Sequence, residues 1–528
     1  MVRLTGLKAP LDAAEENLRA LVLKKLSLPP DRLLSLRVVR RSIDARDKGN
    51  VHFVLNVDLC LRDEAALLKK NRALTPVHPV PAPPLKTHTF ARPPLIVGAG
   101  PAGLFAALTL ARAGARPLLI ERGRPVEERS RDVAEMTKCG TLLEESNVQF
   151  GEGGAGAFSD GKLTCGVRSP YLRDVLDTFV AHGAPESILI DQKPHIGTDR
   201  LRGVVSSIRE EIRRLGGSVR FETRLERLLL RDEHVEGAIA VCGGNAEEIR
   251  TDAVILCIGH SARDTVQQLF LDGVRMEQKP FAVGVRIEHP REWIDRAQYG
   301  SFAGHPALGA ASYKLTCHTP DGRGVYTFCM CPGGYVIPAA SQPEGVVTNG
   351  MSYHARDAVN SNAALLVGVH PGDYGDDHPL AGFVWQRRIE RAAFRAGGGG
   401  FRAPAQRVGD FLAGRTTVRF GDVEPSYRPG VVPADLREVL PDFITENLKT
   451  GIRSMDRQLR GFALPDAVLT APETRSSSPV RMPRDPFGQA VGVRGLYPAG
   501  EGAGYAGGIV SAAMDGIAAA RAVLEASE

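Results

Sequence analysis

The sequence predicts an α/β fold: a parallel-sheet domain in two pieces, an α+β region inserted between them, and a small α+β module ahead of both. Three observations carry this expectation. Leu95 to Arg122 reads LIVGAGPAGLFAALTLARAGARPLLIER: an apolar run, a glycine triplet, an Ala- and Leu-rich stretch and a second apolar run. That is the order of a strand–turn–helix–strand unit. Residues 495–511, GLYPAGEGAGYAGGIVS, repeat the plan with a short strand, a glycine-rich turn and a helix start. Residues 270–484 between them read as strands and loops, with no second Gly-x-Gly-x-x-Gly after a strand.

Composition sets the bounds. The chain has 528 residues, enough for two or three domains, and its 43% hydrophobic and 24% charged residues suit a soluble globular protein. A net charge of +5 is too small to argue for nucleic acid from the whole chain. The eight cysteines show no metal-ligand spacing, which points to free thiols in a reducing cytoplasm and to no metal. The first twenty residues carry early acids and no apolar core, so no secretory signal is expected. Leu95 to Leu110 is uncharged, yet it begins with three glycines and a proline and falls short of the ~20 residues of a membrane span, so no membrane is expected.

Residues 1–75 read as a separate α+β module. Leu11 to Leu26 has helical apolar spacing; Leu34–Ile43 and Val51–Leu61 alternate like strands, with a turn signal at Asp47–Asn50. The module is basic: residues 1–92 hold 17 Lys+Arg against 9 Asp+Glu. Arg37, Arg40, Arg41, Arg46 and Lys48 gather near the hairpin, either a solvated face or a site for RNA or another anion. Residues 76–94 hold seven prolines and read as an extended linker. The first part of the nucleotide domain is expected over 95–269, the inserted domain over 270–484 and the second part over 485–528.

Within the first unit each glycine has a task. Gly98 permits the turn, Gly100 admits a pyrophosphate to the backbone, and Gly103 lets the helix pack on the strand. The helix N-terminus then offers its free N–H groups to phosphate. Glu121 follows Gly103 at about the ~20-residue distance from which a carboxylate meets a ribose. The loop Gly151 to Lys162, GEGGAGAFSDGK, has five glycines and lets a planar ligand lie on bare backbone. Strands are expected at 219–223, 225–230, 235–241 and 253–259, the last ending in Gly259, where the missing side chain makes room for a cofactor. Near the C-terminus, Glu501 follows a strand as Glu121 does. It is placed to hold ribityl hydroxyls, with the amides near Gly508 and Ile509 facing a reduced flavin.

Together GAGPAG with Glu121, GEGGAG and PAGEGAGYAGGI resemble FAD-dependent oxidoreductases with the glutathione-reductase-like fold. GEGGAGAFSDGKL, KPHIGTD, FCMCPGG, SMDRQL and TAPETRSSSPVR further resemble the uncharacterised FAD-dependent dehydrogenase family of bacteria and plastids. The resemblance runs the length of the chain. It implies an FAD-binding Rossmann-type domain with an inserted α+β substrate domain. By position, it implies that Gly98, Gly100, Ala102, Gly103, Glu121 and Arg122 hold the adenosine diphosphate half. It further implies that Gly153, Gly154 and Ser159 approach the flavin, that Gly500, Glu501, Gly508 and Ile509 meet its ribityl and pyrimidine parts, and that Leu225 lies where adenine is clamped. The CxxxxC pair of disulfide reductases is absent.

Candidate chemistry falls to Cys329 and Cys331, either a redox pair or two small buried side chains, and to His195, an acid–base group or a structural one. Arg475, Arg481, Asn349 and His354 are weaker candidates. The expected activity is a dehydrogenase or reductase passing hydride between FAD and an organic small molecule, with NAD(P)H as a transient reductant at most. The alternative is a structural flavin in a protein whose basic module recruits RNA. Oligomeric state is open.

Overall fold

The computed structural model describes residues 1–78 and 84–526. At its centre lies a five-stranded parallel sheet in the order 496–498, 254–256, 95–97, 118–120, 218–220. Its inner strands are buried on both faces, which is why they read as continuous Leu/Ile/Val runs. The helices Pro101–Arg112 and Ile509–Ala526 cover one face and pack closely on each other. Glycine makes that approach possible: a Cβ on Gly516 would lie 2.0 Å from the Ala102 carbonyl oxygen. Strands expected at 225–230 and 235–241 do form, as Thr223–Arg231 and His234–Cys242. With Asn245–Arg250 they make a separate antiparallel sheet outside the parallel one.

After the helix Arg263–Leu271 the chain leaves this layer, and it returns through Val480–Arg481, which pairs antiparallel with Glu277–Gln278. Between those crossings lies a seven-stranded sheet in the order 316–318, 324–331, 360–369, 281–290, 468–473, 403–407, 431–433. Its core is the largest apolar cluster of the molecule, centred on Val283, Val285, Leu365, Val367 and Leu469.

The N-terminal module is a four-stranded sheet, with Val2–Ala9 paired between His52–Leu61 and Leu74–Pro76, and the helix Glu15–Leu26 against it. It is docked on the rest of the chain: the Arg41 amide donates to the Ile190 carbonyl at 2.7 Å, and Gln192 returns a bond to the Arg41 carbonyl at 2.9 Å. The linker expected over 76–94 is not a free spacer in its described second half. Leu85 and Phe90 pack on the helical core, and the His88 amide donates to the Ala113 carbonyl. Pro79, Pro81 and Pro83 lie outside the described residues. No described helix is long and apolar enough to cross a membrane.

Candidate functional site

A slot of about 340 Å3 opens at the carboxyl ends of the parallel strands, in the volume range of small-molecule sites. Its layout follows from strand order. The residues leaving neighbouring strands are Glu121–Arg122, Gly98–Gly100, Cys257–Ser261 and Ala499–Glu501, and all four groups line the slot. At ~4.8 Å per strand spacing, Glu121 and Gly500 stand on the order of 14 Å apart along one crevice. The slot continues past Gly508 and Ile509 to Lys162, Cys329, Asn349 and Glu473. The diphosphate-type helix end and the C-terminal helix end therefore share one cavity.

The first turn depends on Gly98, whose φ of +101° and close approach to the Cys257 carbonyl exclude a side chain. The helix Pro101–Arg112 carries no side-chain cap, which leaves its first-turn N–H groups for a ligand. The loop beyond is built by a residue that sequence reasoning missed. Fully buried Arg129 donates to the carbonyls of Asn147, Val148, Gly151 and Glu152 at 2.6–3.1 Å, folding 147–152 around its guanidinium. The far end of the loop is tied down by Asp160, which binds Ser352, Arg356 and Lys162.

Most predicted contacts do line the slot: Gly98, Gly100, Ala102, Glu121, Arg122, Gly154, Ser159, Leu225, Gly259, Gly500, Glu501, Gly508 and Ile509. Four positions stand away from the slot. Gly103 lies behind the turn, where a Cβ would stand 1.8 Å from the Gly98 carbonyl oxygen; it packs the helix and is not at the slot. Gly153 faces Ala157 and Val205 in the core. Cys331 is fully buried behind Cys329. His195 is stacked on His354, with Nε2 against the His354 carbonyl, and is not at the slot; burial lowers its pKa to about 4. Two further positions are more constrained than expected. The Glu121 carboxylate already accepts from the amides of Ala99, Gly123 and Gly151, at 2.7–2.9 Å. Arg122 is spent on Glu145 and Asp264 and stacks over Phe150.

The residues present fit FAD. Gly100 and Gly154 face each other as bare backbone, and a Cβ on either would point at the other's Cα. A Cβ on Gly259 or Gly507 would meet no atom within 4 Å. Half-buried Glu501 accepts no hydrogen bond at its carboxyl among the described residues. Burial pushes its pKa up to about 8, with Lys279 pulling the other way. A carboxyl held there without a donor suits ligand hydroxyls.

The end of the slot at the seven-stranded sheet is polar. Fully buried Arg286 donates to the Cys329 carbonyl at 2.8 Å and to Asn349 Oδ1 at 3.1 Å, and its Nε lies 2.6 Å from Glu473. Burial raises the Glu473 carboxyl to about 7, against the pull of Arg286. The sequence signal that could have found it is an arginine inside the apolar run Phe281–Ile287. Beside it, Glu390 is clasped by two arginines, each with two bonds of 2.8–3.1 Å: Arg263 and Arg475. Arg475 is thus an ion-pair partner at the wall, and Arg481 lies over Tyr505.

A model of an FAD-dependent protein, C-terminal domain-like, matches residues 280–476, and an FAD binding domain model matches 93–144. An uncharacterised protein of Clostridium beijerinckii is 45% identical over 529 residues, covering 99% of this chain and 98% of its own. The chain belongs to the family of FAD-dependent proteins. FAD is its cofactor. A domain of unknown function matches residues 1–60. Among solved structures, the flavin-dependent brominase Bmp2 is similar at 13% identity, 84% of this chain, 80% of that one and a TM-score of 0.37. A geranylgeranyl bacteriochlorophyll reductase-like protein of Thermoplasma acidophilum follows at 12%, 84%, 79% and 0.34. Similarity this distant says nothing about activity.

Arg37 faces Asp58, Arg41 pairs with Asp191, Arg46 with Asp44, and Lys48 reaches the Gln298 carbonyl.

Proposed function

We propose that this FAD-dependent protein is an oxidoreductase, a dehydrogenase or reductase acting on a small organic molecule held where the slot meets the seven-stranded sheet. The observation that carries the reading is the join itself. A crevice framed by two helix N-termini runs without a break into a cluster, Lys162, Asn349, Cys329 and Glu473, supplied by the flavin side and the inserted region together.

Bound FAD supplies a two-electron donor or acceptor there. The chain's own residues do the rest. Lys162 is held charged: burial acts against its ammonium, but Asp160 and the two cysteine sulfurs outweigh it. It places a fixed positive charge beside the substrate end. Glu473, neutral or ionised with nearly equal ease around pH 7, is the group suited to move a proton. Arg286 holds Glu473, Asn349 and the Cys329 backbone in register. His260, driven to about 3 by burial, stays a neutral wall residue.

The test is anaerobic mixing of the FAD-loaded protein with NADH, NADPH and a panel of metabolites, read at the flavin absorbance. At least one should bleach the flavin, and a Glu473→Gln variant should bleach with it about 100-fold or more slowly, the usual worth of a positioned acid–base group. A flavin reduced at the same rate in both proteins would remove Glu473 from the chemistry.

A further inference from the structure

We propose that Cys329 and Cys331 form a redox-active dithiol that exchanges two electrons with the bound flavin. This rests on the oxidoreductase reading above and goes beyond it by placing a second redox centre in the same site. The first observation is backbone geometry. Strand register along 360–369 breaks between Phe328 and Cys331, and Cys329 takes a φ of +38°, in the left-handed region that a non-glycine residue seldom enters. A regular strand would bury both sulfurs or neither. The bulge instead leaves Cys329 on the slot wall and Cys331 fully buried behind it. Strain of this kind persists only where the surroundings impose it, and Arg286 does so by gripping the Cys329 carbonyl at 2.8 Å.

The second observation is the company the sulfurs keep. Both are free thiols. Lys162 Nζ lies 3.7 Å from the Cys331 sulfur, and the Cys331 thiol also reaches the Cys329 carbonyl at 3.3 Å. The Cys331 thiol, Lys162 and Arg286 together lower the pKa of Cys329, so the slot-facing sulfur is the one that ionises first. Lys162 pairs with Asp160 and Arg286 with Glu473, and the positive charge they also turn toward the sulfurs favours a thiolate.

The step balances within the site. The S–H bonds of the pair break and an S–S bond forms. Two electrons and one proton pass to oxidised FAD, and the second proton goes to Glu473, which shares the slot with Cys329. The reverse step returns the dithiol. A disulfide across one intervening residue closes a small, strained ring and is easily reduced, which suits a pair that cycles.

Anaerobic dithionite titration of the FAD-loaded protein, with alkylation of thiols and peptide mass mapping at each stage, tests this. The air-oxidised protein should leave the Cys329–Cys331 peptide unalkylated and lighter by two hydrogens. The reduced protein should alkylate at both positions. The wild type should take about twofold more reductant than Cys331→Ser, whose uptake should match its flavin alone. Full alkylation of both cysteines in the oxidised protein, with reductant uptake equal to the flavin content, would overturn the dithiol while leaving the flavoenzyme standing. A protein showing no flavin to reduce would instead overturn the oxidoreductase reading. The mapping needs no variant, so a poorly folding Cys331→Ser leaves the test intact.

Discussion

Glu501 holds a proton in the folded protein that it would release when unfolded at neutral pH. Its ordinary value is 4.5 and burial lifts it to about 8. Between those limits the folded state binds more protons than the unfolded one, so stability falls as pH rises through the window. The flavin-free protein should therefore melt at a lower temperature at about pH 9 than at about pH 6, and Glu501→Gln should flatten that slope. Thermal melts of both proteins across this range check it; parallel curves would mean that Glu501 is not desolvated. Glu501 was legible in the sequence because a strand and a glycine-rich turn surround it. Glu473, Lys162 and Arg286 were not, since each comes from a different stretch and only the fold brings them together. Gly103 packs its helix on the strand as the motif requires, whereas Gly153 shows the opposite failure: a motif marks a glycine as necessary without saying whether it meets the ligand or its own core.

At the scale of elements, the two helices that frame the slot are set by Gly516 and Ala102. A valine at 516 would drive its Cβ into the Ala102 carbonyl and push the helices apart. Gly516→Val should weaken FAD binding by at least about tenfold, ~1.4 kcal/mol, although residue 516 does not line the slot. Calorimetric titration with FAD reads this directly, and unchanged affinity would mean that helix spacing does not shape the site. Elements with a clean period were legible: the 95–122 unit, the hairpin of 33–61 and the C-terminal helix. Val2–Ala9 was not, because Gly6 sits in a register shift that spoils the alternation. Asn245–Arg250 was missed because it is a polar strand at a sheet edge. The bulge at Cys329 has no periodic signature at all.

Across the whole molecule, a buried carboxylate helps to lock the two large layers together. Glu390, fully buried on the helix Ala381–Ala396, holds Arg263 from the flavin side and Arg475 beside the slot. Removing its charge strands two buried guanidinium groups, which costs about 3–5 kcal/mol for a broken buried pair. Glu390→Gln should lower the urea midpoint accordingly and release FAD in the same transition. Release of FAD well before unfolding would mean that the layers separate independently. This lock joins residues 85 and 127 positions from its carboxylate, as the pairing of 254–256 with 496–498 joins strands still further apart, and such long-range choices leave no local trace in the chain.

All of this depends on one ligand spanning both helix ends. The most direct measurement is an FAD titration of the purified, flavin-free protein, followed by flavin fluorescence with and without ADP. Saturation is expected at one FAD per chain, with ADP competing for the same crevice. No uptake of FAD, or ADP binding alongside FAD without competition, would contradict it.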